Sequence, residues 1–78
     1  MKKGDIFLLQ NATYIMILKT PSTYHRRRFI YVKTLSDFCY NQSYITDYVL
    51  DYSKKVTKKD WYKAIRRYNR IRVDYGRG

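Results

Sequence analysis

The chain has 78 residues, and its 17 lysines and arginines stand against six acidic residues, all aspartate, for a formal charge of +11. That length allows a single domain, residues 1–78, with a small core, and the one cysteine and one histidine, Cys39 and His25, exclude an internal disulfide and a four-ligand zinc site. With 45% hydrophobic and 18% aromatic residues, the chain is too apolar to be a disordered basic tail.

Gly4-Asp5 is a turn signal, and Ile6 to Leu9 reads as a short apolar strand. That run is too short for a signal-peptide core, and Tyr14 to Leu18 falls far short of the ~20 residues of a membrane span. A soluble, cytoplasmic protein with no membrane partner is expected. Gln10-Asn11-Ala12 makes a bend. Thr13 to Thr20 has no polar alternation before Lys19, the pattern of a strand covered on both faces. Pro21-Ser22-Thr23 has turn chemistry and is expected to close that strand. Arg26 to Leu35 alternates as a third strand, with Phe29, Tyr31, Lys33 and Leu35 on one face and Arg28, Ile30, Val32 and Thr34 on the other.

Ser36 to Ser43 is polar and reads as a loop. Tyr44 to Tyr52 fits two periods: Tyr44, Tyr48, Leu50 and Tyr52 at period two, Ile45, Tyr48, Val49 and Tyr52 at 3.6. Its Tyr, Ile, Thr and Val content favours a strand. Thr57-Lys58-Lys59-Asp60 has the form of a capping box, with Asp in place of the usual Glu. Trp61, Ala64, Ile65 and Tyr68 then recur at helical spacing within Lys58 to Asn69. Ile71 to Tyr75 reads as a short closing strand and Gly76-Arg77-Gly78 as a frayed tail. The fold class is therefore α+β: a small twisted antiparallel sheet of four or five strands with one C-terminal amphipathic basic helix. Trp61, Ile65 and Tyr68 are expected to be buried with Ile15, Ile17, Phe29 and Tyr31.

The charge is polarised along this map. Residues 53–78 carry ten basic and two acidic side chains, and Arg26, Arg27 and Arg28 form the only other cluster. Catalytic constellations are missing: there is no glutamate, no glycine-rich phosphate loop, and no serine or cysteine next to His25 in sequence. The chain is read as no enzyme, with no cofactor and no metal. Basic residues interleaved with aromatics are the strongest signal. Lysine and arginine neutralise phosphates, and tyrosine offers a flat face to an unpaired base. Tyr24, Tyr31, Tyr62 and Tyr68, among ten tyrosines, stand close to basic residues.

That mixture suits single-stranded or irregular RNA better than a DNA major groove. The expected nucleic-acid-binding residues are Arg26, Arg27, Arg28, Lys59, Lys63, Arg66, Arg67, Arg70, Tyr24 and Tyr62, with the basic ones forming one continuous surface. The competing reading is a protein-binding inhibitor that docks on an acidic surface of a host enzyme, since opposite charge steers that encounter equally well. A short sheet with exposed edges also gains by pairing with a copy of itself, which makes a homodimer a further expectation.

The opening Lys3-Gly4-Asp5-Ile6-Phe7-Leu8, with Tyr14 to Leu18 and Arg28 to Leu35 after it, resembles the first three strands of an SH3-like small barrel of the KOW or Tudor kind. The resemblance covers less than half of the chain and implies a barrel-like sheet. In size, charge and richness in Tyr, Lys and Asn the chain is similar to small early proteins of T4-like phages. Among these are proteins that neutralise a host ribonuclease toxin–antitoxin system through RNA-dependent binding. That similarity implies a role in host takeover or toxin–antitoxin inhibition, in the host cytoplasm.

Overall fold

The computed structural model describes residues 2–76, with side chains as far as Val73. Five strands, β1 (Ile6–Leu9), β2 (Tyr14–Tyr24), β3 (Arg27–Leu35), β4 (Tyr40–Thr46) and β5 (Ser53–Val56), form one antiparallel sheet in the order β4-β3-β2-β1-β5. A 3₁₀ helix, Asp47–Tyr52, links β4 to β5, and the chain ends in helix α1 (Lys58–Gly76). The first four strands are a meander. The 3₁₀ helix then carries the chain back across one face, so that β5 pairs with β1 from Ile6↔Val56 to Leu9↔Ser53. The sheet is open, with β4 and β5 as its edges.

Strand alternation divides the core between the two faces of the sheet. Ile15, Ile17, Ile30 and Val32 are buried on one, packed by Phe7, Leu9 and Ile45 and by Leu50 of the 3₁₀ helix. Ile6, Leu35 and Trp61 are buried on the other, where Tyr14, Met16, Val56, Ala64, Ile65 and Tyr68 surround them. The apolar stretch at the start of β2 is thus covered on both faces, as its lack of alternation requires.

Helix α1 starts where the capping box places it. The Thr57 amide and hydroxyl both donate to Asp60 Oδ2 at 3.0 Å, and the Asp60 amide donates back to Thr57 Oγ1 at 3.4 Å. The backbone bond from Thr57 first, and its side-chain bond second, hold the Asp60 carboxyl below its ordinary pKa.

Five sequence expectations are corrected. Pro21-Ser22-Thr23 does not end β2, which runs on to Tyr24. Register shifts between Ile17 and Lys19 and between Lys19 and Ser22 leave Pro21 outside the regular ladder, where its missing N–H costs nothing. Tyr40 to Ser43 is strand rather than loop, paired with β3 from Leu35↔Tyr40 to Phe29↔Thr46. Its polarity is that of an edge exposed on both faces. The 44–52 segment is half strand and half 3₁₀ helix. Ile71 to Tyr75 belongs to α1, because Ile71 continues the stripe of Trp61, Ala64, Ile65 and Tyr68 and no breaker precedes Gly76. Finally, Trp61 packs with Ile6 and Leu35, while Ile15 and Ile17 point to the opposite face. The Arg77-Gly78 end of the expected frayed tail lies outside the described residues.

Candidate nucleic-acid interface

Helix α1 turns its apolar stripe to the sheet, and its outer side follows from that. At 3.6 residues per turn, Lys59, Lys63, Arg66 and Arg70 fall within about 60° of one another, opposite Trp61, in a ridge about 16 Å long. All four are exposed. Tyr62, 57% exposed, flanks the ridge. Arg67 stands apart from it: its Nε and Nη2 grip Asp37 Oδ1 and Oδ2 at 2.9 and 3.0 Å, a bidentate pair tying α1 to the β3–β4 turn.

The other basic cluster sits at the β2–β3 hairpin. Tyr24 pairs with Arg27, and the two turn residues, His25 (φ 48°) and Arg26 (φ 64°), are both left-handed. This is the geometry of a two-residue type I′ turn, a place where Asn-Gly is the usual choice. The end of the hairpin projects past its neighbours, since β1 pairs with β2 no farther than Met16 and β4 meets β3 no farther than Phe29. Arg26, Arg27 and Arg28 line a shallow cleft there with Thr46 and Tyr48. Arg28 is partly neutralised, its Nε lying 3.2 Å from Asp47 Oδ2. The Tyr24 ring, 66% exposed, stands edge-on to the His25 ring at 4.3 Å.

The two clusters lie at different ends of the sheet. Arg67 is bound to the turn that follows Leu35, whereas Arg27 begins the same strand, roughly 27 Å away at ~3.4 Å per residue. The expectation of one continuous basic surface is corrected accordingly. Between the clusters, on the face that carries α1, is a surface the sequence reading did not assemble. Cross-strand partners share a face, so Tyr24/Arg27, Ser22/Phe29/Thr46, Lys19/Tyr31/Tyr44, Lys33/Gln42 and Leu35/Tyr40 follow one another from the hairpin end to the helix.

The rings of Tyr31 and Tyr44 meet at 4.7 Å, and Lys19 Nζ lies 5.7 Å from the Tyr31 centroid. Lys33 Nζ lies 6.0 Å from the Tyr40 centroid, and Tyr40 sets its edge against Trp61 and Tyr68. The Tyr31 hydroxyl donates to Gln42 Oε1 at 2.8 Å, fixing the ring in its plane. Tyr44 is 62% exposed, so the helix leaves this tyrosine platform open. Period-two spacing of Tyr40, Gln42 and Tyr44 was the signal for it. Reading Ser36 to Ser43 as a loop concealed that spacing.

His25 and Cys39 lie in the turns at opposite ends of β3 and are not brought together. Cys39 is exposed, its Sγ accepting from Asn41 Nδ2 at 3.0 Å. Among the described residues no helix is long and apolar enough to cross a membrane. Comparison with protein-family models, curated proteins and solved structures finds no match for the chain.

Proposed function

We propose that this chain is a non-enzymatic nucleic-acid-binding protein that takes single-stranded RNA in preference to DNA. The observation that carries the reading is the open tyrosine platform, with Lys19 and Lys33 beside its rings, flanked by the hairpin arginines and the α1 ridge. Stacking on exposed rings requires unpaired bases, and cations at both ends of the platform suit a strand whose phosphates run past it. The roles divide by chemistry. Tyr24, Tyr44 and Tyr62, the exposed rings, stack, with Tyr31 packed against Tyr44, while Arg26, Arg27, Lys59, Lys63, Arg66 and Arg70 contact phosphate. Arg28 and Arg67 also hold the fold through Asp47 and Asp37.

The similarity in size, charge and composition to small phage early proteins supports a cytoplasmic accessory protein that counters a host defence or toxin system by binding RNA. The test is the salt dependence of affinity for one sequence offered as single-stranded RNA and as DNA. About five phosphate contacts on a single strand set the slope of log affinity against log salt near −3 to −4. The Lys63→Glu/Arg66→Glu variant should flatten that slope by ~1 or more and weaken binding to all sequences alike. A folded double variant with the wild-type slope would clear the helix of this role. In that case an acidic host protein, retained from lysate after nuclease treatment, would favour the inhibitor reading instead.

A further inference from the structure

The two edges of the sheet differ. β5 has four residues, and Lys54 and Lys55, both exposed, stand on it. A short, charged edge resists pairing with another strand. β4 has seven residues, no proline and no charged side chain, and it is paired with β3 on one side only. Its free side therefore presents a row of backbone N–H and C=O groups, a ready template for strand addition. The neutral stretch runs from Phe38 to Thr46 in a chain of charge +11.

We propose that β4 is the contact surface of a symmetric dimer, in which β4 of one copy pairs antiparallel with β4 of a second and the sheet becomes ten-stranded. Charge selects the occupant. An acidic partner is drawn to the α1 ridge or to the hairpin end, whereas two chains of charge +11 can approach only along an edge that carries none. An isologous pairing also lets the same seven residues satisfy one another. In full overlap Ser43 lies beside its own counterpart. The basic side chains of the two β3 strands then stand three strand spacings apart, about 14 Å, beyond the screening length of ~8 Å at physiological ionic strength.

A two-fold axis between antiparallel strands is perpendicular to the sheet and keeps the same face of both copies uppermost. The two Tyr31–Tyr44 platforms therefore adjoin across the seam. Each helix, seated at the Tyr40 end of its own β4, falls at an opposite end of it.

The test is sedimentation of the nuclease-treated full chain over a wide concentration range, without RNA, so that its outcome is independent of the RNA-binding reading. The expected mass rises from 9.6 kDa to twice that value. Like charges directly opposite one another destabilise strand pairing, so Asn41→Lys/Ser43→Lys should weaken the dimer by ~10-fold or more with an unchanged circular dichroism spectrum. A Cys39→Ser/Ser43→Cys variant should become a covalent dimer on mild oxidation. A wild-type mass that stays at 9.6 kDa throughout overturns the proposal. A dimer that the lysine variant leaves intact overturns it too, and an oxidised cysteine variant that remains monomeric overturns the register.

Discussion

Trp61→Ala tests the joint on which the whole arrangement depends. Trp61 is 2% exposed and is wedged between Ile6 and Leu35, with Tyr40 edge-on at 6.3 Å. Among the described residues it is the largest of seven buried apolar side chains, and the one through which α1 enters the core. A buried tryptophan removes roughly 200 Å² from water, and at about 25 cal/mol per Å² that is worth about 5 kcal/mol. Alanine keeps little of this, and partial collapse of the hole brings the expected loss to about 3–5 kcal/mol.

A domain of this length has about 4–12 kcal/mol in total at 0.05–0.15 kcal/mol per residue. The variant should therefore be largely unfolded or melt at least ~12 °C lower, taking about 4 °C per kcal/mol as the smallest shift for a domain of this size. Far-UV circular dichroism is the assay, because Trp61 is the only tryptophan and its removal takes away the tryptophan emission that would otherwise report unfolding. Trp61→Phe, which keeps a ring in the slot, should fall between the two. A Trp61→Ala melting temperature within about 3 °C of wild type would refute the packing of α1 on the sheet, and with it the boundary of the tyrosine platform.

Tyr44→Ala removes an exposed ring, so it should leave the melt almost unchanged and weaken single-stranded RNA by about 1–3 kcal/mol per stacked base, with the salt slope retained. Equal affinity, measured by fluorescence anisotropy, would remove the platform from the site. His25→Asn/Arg26→Gly should stabilise the fold by about 1–2 kcal/mol, because both positions are left-handed and the replacements adopt that backbone more readily. A lower melting temperature would contradict the turn geometry. Asp60→Ala should lower the melting temperature at neutral pH. The Asp60 carboxyl is depressed in the folded state, so its contribution is full above the ordinary carboxylate range near pH ~4 and is lost as pH falls through the lowered value. Wild type and variant should thus converge in strong acid, and a gap that persists there would refute the capping role.

The α+β class, the first strand, the third strand to within a residue and the start of the helix were legible from local chemistry. A capping box needs only four consecutive residues, and the stripe Trp61, Ala64, Ile65, Tyr68 is set by helical period alone. The basic ridge of Lys59, Lys63, Arg66 and Arg70 follows from the same period. Three other features depended on neighbours distant in sequence. Pro21 could stay inside β2 because a bulge relieved it of a ladder bond. Tyr40 to Ser43 became strand because β3 supplied its hydrogen bonds, although its own residues carry no apolar pattern. The tyrosine platform exists only because register sets Tyr31 beside Tyr44 and Lys19 beside Tyr31. Residue order alone determined β1, β3, the start of α1 and where charge accumulates, since propensity, period and capping act over a few residues. Which aromatics share a face, which arginines are held by Asp37 and Asp47, and which strand is left as an uncharged edge were decided by tertiary pairing, because each joins groups the chain keeps far apart.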